Sequence, residues 1–209
     1  MNVIFGSSGH AKEVNQLVKI CREDKIDFFV GVDKIGEIID GIEIISEDRF
    51  FGMTAESINN IFLGIGSPVL RSNIYNKLKA RGFDDSKFPS LVHPSSVFDV
   101  VKDKINMGIG SIIARGCILT TEVNIGNFVH VNINSTISHE SDISDFVTIS
   151  PGCCICGNVK IGAFSFLGAG ATIIDRISVC NNVVIGAGTV VIRDIDDSGT
   201  YWGVPAKKK

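Results

Sequence analysis

Four histidines carry most of the acid–base chemistry open to this 209-residue chain: His10, His93, His130 and His139. His139 stands out because it sits in Ile137-Ser138-His139-Glu140, an imidazole with a carboxylate as its next neighbour. A neutral imidazole takes a proton near pH 7, and the carboxylate can orient the ring or supply local negative charge. Eighteen residues on is Gly157, with Asp175 beyond it. If eighteen residues make one turn of a coil, His139 lies beneath a glycine whose N–H a ligand can approach closely. Acyl transfer needs that pair, a base for the nucleophile and a donor for the oxyanion. By position alone a lone surface histidine is more often bland than catalytic, and only the column argues otherwise. His93, before Pro94, reads as structural; His130, before the apolar Val131, reads as an outward, solvated or interface residue.

The second candidate is the loop Gly6-Ser7-Ser8-Gly9-His10. Two glycines let backbone approach a phosphate, and a following helix N-terminus favours an anion. His10 and Lys12 add donors there, and Asp33 stands about where a ribose-binding acid would, roughly twenty residues further on. The full G-x-G-x-x-G spacing is missing, which argues against a dinucleotide. A tight turn alone would also explain the glycines; a phosphate-bearing ligand is the expectation favoured.

The elements that position these groups follow from periodicity. From Val101 to Val191 every sixth residue is aliphatic, and the position four further on is small or β-branched, as in Cys117, Ser135, Val147 and Ala171. Neither a helix nor a simple strand needs a period of six. Such hexads mark a parallel β-helix, one hexad per face and three per coil, stabilised by stacking neighbours. The first ninety or so residues differ in texture. Val3-Ile4-Phe5 predicts a buried strand, followed by a helix with Ala11, Val14, Leu17, Val18 and Cys21 on one face. Further strands are expected at residues 28–32 and 60–65, and Pro68 opens a helix carrying Arg71 and Leu78. This is a small α/β unit with a parallel sheet, whose ligands bind beyond the carboxyl ends of the strands, at residues 6–10, Asp33, Gly66 and Ser67. The expected division is a Rossmann-like α/β domain over residues 1–92 and an all-β helix over 93–209.

Net charge of −3 leaves no basic footprint for nucleic acid. Mean hydropathy of +0.28 comes from spaced aliphatics, never from a run long enough to span a membrane. The start, Met1 to Phe5, lacks a charged leader, and six cysteines without a disulfide-scaffold composition suggest a reducing setting, so a cytoplasmic location is expected. Cys153-Cys154-Ile155-Cys156 reads as buried small hydrophobes, because a strand-like path would not converge the thiols on a metal.

Read together, these residues resemble a known family. Gly6 to Lys12, Ile137-Ser138-His139-Glu140, Ser150-Pro151-Gly152, Gly168-Ala169-Gly170-Ala171, Gly186-Ala187-Gly188 and Gly203-Val204-Pro205-Ala206-Lys207 are similar to hexapeptide-repeat acetyltransferases of the sialic acid O-acetyltransferase type. Within these the chain resembles most the bacillosamine-pathway N-acetyltransferases, which act on UDP-4-amino-4,6-dideoxy sugars in surface glycan synthesis. The resemblance implies a left-handed β-helix and a homotrimer with acetyl-CoA between adjacent subunits, with no metal. It implies that the N-terminal domain holds the nucleotide sugar through Gly6, Ser7, Ser8, Gly9, His10, Asp33 and Gly66. His139 would then be the general base for direct attack by the sugar amine, supported by Glu140 and Asn132. The Gly157 N–H would hold the thioester carbonyl, with Ala169, Ala187 and Lys207 along the pantetheine and phosphates.

One departure is that members of the subgroup often carry a second histidine nine residues after the base, where this chain has Thr148. Rival expectations are an O-acetyltransferase using a sugar hydroxyl and a non-catalytic β-helix that binds a nucleotide sugar. A metalloenzyme on the same scaffold would need three converging histidines, and the repeat holds only His130 and His139.

Overall fold

A computed structural model of the chain describes residues 1–98 and 105–209. The first aliphatic position of the repeat, Val101, lies outside the described residues. The N-terminal part contains β1 (Asn2–Phe5), α1 (Gly9–Arg22), β2 (Phe28–Gly31), β3 (Ile38–Ile39), β4 (Ile42–Ser46), α2 (Glu47–Phe51), β5 (Asn60–Leu63) and α3 (Pro68–Ala80). The sheet order is β3-β4-β2-β1-β5, with β4, β2, β1 and β5 parallel. This order sets the carboxyl ends of β2, β1 and β5 side by side. The expected strand at 28–32 stops one residue short, and Val32 is 82% exposed. The β3–β4 hairpin was not anticipated. Asp40 and Gly41 both have positive φ at its turn, as an Asp-Gly two-residue hairpin requires.

The rest is a left-handed parallel β-helix. Face 1 stacks Leu91–Val92, Ile112–Ile113, His130–Val131, Thr148–Ile149, Phe166–Leu167 and Val183–Ile185. Face 2 stacks Val97–Phe98, Ile118–Leu119, Thr136–Ile137, Cys154–Ile155, Thr172–Ile173 and Val190–Val191. Face 3 stacks Ile105–Met107, Val123–Ile125, Asp142–Ile143, Lys160–Ile161 and Ser178–Val179. Partners in register are eighteen residues apart, as in Ile137 with Ile155. The sixth-residue aliphatics from Ile113 to Val191 point inward and are at most 3% exposed. Met107 departs from this at 36% exposure, because its strand ends its sheet and nothing described stacks beneath it.

The small inward slots explain the buried serines. Ser135 Oγ donates to Ser150 O and accepts from the Cys153 N–H, and Ser111, Ser141 and Ser165 repeat the pattern. Each buried hydroxyl is thereby satisfied. Cys153 fills such a slot at 1% exposure, but Cys154 is exposed and Cys156 half-buried, against the expectation of burial. Both flank the inward Ile155, so strand alternation turns them outward.

The α/β part packs on face 1 and on the corner between faces 3 and 1. There Phe128, Phe146 and Phe164 stack one per coil, with centroids 5.2 and 5.4 Å apart, and Tyr75 and Phe88 close over Phe128. On face 1, Leu91 and Ile112 join a cluster with Val14 and Leu17 of α1. Among the described residues no helix is long and apolar enough to cross a membrane.

Candidate active site

Two separate constellations emerge. The first lies at the carboxyl edge of the sheet. Gly6 has φ of +116°, and a Cβ there would sit 2.6 Å from Gly64 O, so only glycine lets the β1 and β5 loops close together. Ser7 Oγ donates to Asp33 Oδ1 at 3.0 Å, tying the first loop to the end of β2. Ser8 caps α1 in extended conformation without a side-chain bond, which leaves the first N–H groups of the helix free for an anion. Gly9 and Gly66 face open space, so nothing within the chain demands glycine there. Residues 6–9, Asp33 and Gly66 therefore converge as the topology requires.

His10 does not offer itself to a phosphate. Its Nδ1 lies 3.2 Å from Glu13 Oε2 and its Nε2 lies 3.0 Å from Nδ1 of His130. His130 does face out of the β-helix, but the outside there is α1, so of the two expected readings it is the interface residue and not the solvated one, at 1% exposure. Burial holds His130 well below its ordinary pKa, with Arg71 and His10 pushing the same way. Burial also lowers His10, partly opposed by Glu13. With Nδ1–H of His10 donated to Glu13, its Nε2 accepts from His130. His93 is structural, its Nδ1 accepting from the Ser95 N–H at 3.0 Å.

Arg71 has a role that sequence reasoning missed. It is fully buried, donating Nε to Phe128 O, Nη1 to Ile65 O and Gly66 O, and Nη2 to Phe146 O, Val147 O and Thr148 Oγ1. Desolvation brings its pKa down to about 9. Nothing in the spacing of the helix that opens at Pro68 marks this arginine as buried.

The second constellation occupies the corner between faces 2 and 3. His139 is 57% exposed at its side chain, and Nδ1 lies 3.1 Å from Glu140 Oε2. Glu140 adopts φ of 57°, the left-handed turn that brings its carboxylate back beside the ring. The carboxylate takes Nδ1–H, which leaves the Nε2 lone pair as the basic site. Directly above is Gly157: a Cβ there would fall 2.5 Å from Nε2 and 3.0 Å from Nδ1 of His139. The Gly157 N–H has no acceptor among the described residues.

Asn132 is not with them. It sits at the corner between faces 1 and 2, gives its amide to Ile149 O at 2.8 Å, and lines a groove of about 390 Å³ with His10, Leu17, Arg115 and Ile133. Ala169 and Ala187 lie higher on that same corner, one coil apart and exposed, with Gly188 N–H bonded to Ala169 O. Lys207 borders a cleft of about 370 Å³ with Val191, Arg193 and Tyr201 at the top of the β-helix. Thr148 faces the domain junction, where its hydroxyl donates to Gly66 O at 2.8 Å. Among the described residues no three His, Cys, Asp or Glu side chains are placed to hold a metal ion.

Known proteins share both constellations' scaffold. The PglD N-terminal domain family matches residues 3–78. The GDP-perosamine N-acetyltransferase of Escherichia coli O157:H7 is 29% identical over 153 residues, covering 70% of this chain and 66% of that enzyme, just under two thirds of its length. The crystal structure of GDP-perosamine N-acetyltransferase from Caulobacter crescentus, a histidine-to-alanine variant in complex with CoA and GDP-perosamine, superposes with a TM-score of 0.90 at 28% identity, over 99% of this chain and 95% of that one. The acetyltransferase domain of PglB from Neisseria gonorrhoeae, in complex with acetyl coenzyme A, gives 0.85 at 28% identity, over 99% and 98%. This chain thus shares the PglD-type N-terminal domain over residues 3–78 and the left-handed β-helix of these proteins, and is similar along nearly its whole length to nucleotide-amino-sugar N-acetyltransferases.

Proposed function

We propose that this protein transfers acetyl from acetyl-CoA to the amine of a nucleotide-linked amino sugar, with His139 as general base. The observation that carries this is the His139 ring, held at Nδ1 by Glu140 and lying beneath Gly157. Acetyl-CoA supplies a thioester carbonyl open to attack. His139 Nε2 takes the proton of the attacking amine, and the Gly157 N–H bonds the oxygen on which negative charge develops. The departing CoA thiolate is the natural recipient of that proton. The glycine-flanked corner at Ala169 and Ala187 leaves a narrow track free of bulky side chains, and the cleft at the top of the β-helix offers Lys207 and Arg193 to phosphates.

The geometry favours a site shared by two copies. The nucleotide loops belong to the part packed on face 1, whereas His139 stands at the corner between faces 2 and 3, the vertex opposite face 1. A sugar held at residues 6–9 of one copy is on the wrong side of the prism for the His139 of that copy. Face 2 suits the contact: its outward column is Ile118, Thr136, Cys154, Thr172 and Val190, without a charge, whereas face 3 shows Asn106, Asn124, Asp142, Lys160 and Ser178. A homotrimer turning face 2 inward would set the His139 corner of one subunit against the Asn132 corner of the next.

The nucleotide is tested directly. UDP is expected from the bacillosamine-type resemblance, and GDP-perosamine is the ligand named for the relatives. CoA release is measured with acetyl-CoA and UDP-, GDP-, dTDP- and CMP-linked sugars, each with and without a free amine. Turnover confined to one amino sugar is the expected result. Turnover only with hydroxyl acceptors would replace N- by O-acetylation, and no acetyl-CoA binding at all would favour the non-catalytic alternative.

A further inference from the structure

One vertical column of face 1 holds the ligand-binding edge of the α/β part. The column reads Ile112, His130, Thr148, Phe166 and Val184, register partners on successive coils. It is polar on only two of those coils, and there it reaches the two loops that start α1 and α3. His130 Nδ1 meets His10 Nε2, in the first turn of α1, at 3.0 Å. Thr148 Oγ1 donates to Gly66 O at 2.8 Å and accepts from Arg71 Nη2 at 3.0 Å. Arg71 closes the circuit, bonding Ile65 O and Gly66 O on one side and Phe128 O and Phe146 O on the other.

A junction needing cohesion alone has cheaper means at hand. One coil below, Ile112 packs with the apolar face of α1, and at the corner between faces 3 and 1 the rings of Phe128 and Phe146 join a hydrophobic cluster with Phe88. Burying two imidazoles and a guanidinium costs desolvation that apolar side chains avoid. Directional bonds fix an angle where apolar contact does not. We propose that His130 and Thr148 are positioning residues for acetyl transfer, setting the loops at 6–10 and 64–67 at the height and angle from which the bound sugar meets the base of a neighbouring copy. This rests on the transfer reaction proposed above, and neither residue touches the reacting atoms.

The test compares Thr148→Val with Thr148→Ser in steady-state kinetics, using the acceptor that the wild-type protein turns over. A misplacement of about 1 Å at reacting atoms costs on the order of 100-fold in rate. Thr148→Val is therefore expected to lower kcat by roughly 10- to 100-fold, from that geometric sensitivity. The KM for acetyl-CoA should stay within about twofold, since its path lies on other corners. Thr148→Ser, which keeps the hydroxyl, should restore kcat, and His130→Phe should resemble Thr148→Val. A normal kcat in Thr148→Val, whatever its melting temperature, would overturn the proposal, as would a loss that serine fails to rescue.

Amide hydrogen exchange separates this from the reaction itself. In Thr148→Val the amides of 6–10 and 64–67 should exchange about ten times faster than in the wild type, while Ile149 and Ile155 keep their protection. If the wild-type protein acetylated nothing, the transfer reaction would fall. Faster loop exchange would still support the positioning of the edge, and unchanged exchange would overturn it.

Discussion

Gly157→Ala isolates the step at which the proposed base and oxyanion donor meet. The added Cβ would lie 2.5 Å from His139 Nε2 and 3.0 Å from Nδ1. Ordinary contact begins near 3.5 Å, so the ring has to withdraw by about 1 Å. It can do so, because the side chain is 57% exposed and held by one bond to Glu140. The displacement therefore leaves the fold intact and falls on the base alone. Gly157 has no positive φ, and alanine at such a position commonly stabilises by about 0.4–1 kcal/mol through the unfolded chain. The expected result is a split: kcat down by roughly 100-fold, the scale set by a 1 Å misplacement, with the melting temperature unchanged or slightly raised. CoA release followed by thiol detection reads the first, and thermal unfolding reads the second. Wild-type kcat in a folded Gly157→Ala protein would refute the placement of chemistry at this corner.

His139→Ala should lower kcat by about 10²–10⁴, the usual weight of a general base, with little change in acetyl-CoA binding by calorimetry. Asp33→Ala removes the acceptor of the Ser7 hydroxyl and should raise the KM for the nucleotide sugar, by about tenfold or more for a lost bond to a charged group, while sparing the KM for acetyl-CoA. Thr136→Arg puts a cation in the uncharged column of face 2 and should yield single copies by light scattering, folded but inactive; an active oligomer would remove face 2 from the contact. Below about pH 6.5 the His10–His130 pair should cost stability. Both imidazoles are depressed in the folded protein, so the unfolded chain binds more protons as pH falls through the ordinary histidine range. Stability is thus complete above that range and declines beneath it, with a limiting slope of about 1.4 kcal/mol per pH unit for each histidine. Urea midpoints at pH 8 and 5.5 check this, and His130→Leu should flatten the difference.

The β-helix was legible because its inward positions obey one steric rule, repeated without a gap from Ile113 to Val191. The His139–Gly157 column followed from the same rule, since a period of eighteen fixes which residues stack. Outward positions escape it. What covers them is decided by a domain ninety residues away in sequence, so the sequence left His130 open between a solvated and an interface place and gave Arg71 no role beyond its helix. Thr148 is the clearest instance: the resemblance marked its departure from histidine, yet only the packing shows its hydroxyl engaged by Gly66 and Arg71. The β3–β4 hairpin, by contrast, had its signal in Asp40-Gly41 between isoleucines.

The same asymmetry bears on how an active site arises from such a repeat. A prism of equivalent coils offers three corners, and each corner has its own column of left-handed residues. Gly116 and Asn134 stand at the first of these corners, Glu140 and Asn158 at the second, and Phe128 and Phe146 at the third. The third corner is closed by aromatic stacking against the α/β part. That leaves the corner with the proposed base and the corner with Asn132, Ala169 and Ala187, on either side of the uncharged face. Contact between two unlike surfaces of identical chains closes into a ring when the rotation allows it. In the proposed homotrimer, that closure would come at three copies. Each cleft would then take its base from one subunit and its nucleotide loops from the next. On that arrangement the bonds through His130 and Thr148 would fix the height of loops that serve a base on another chain.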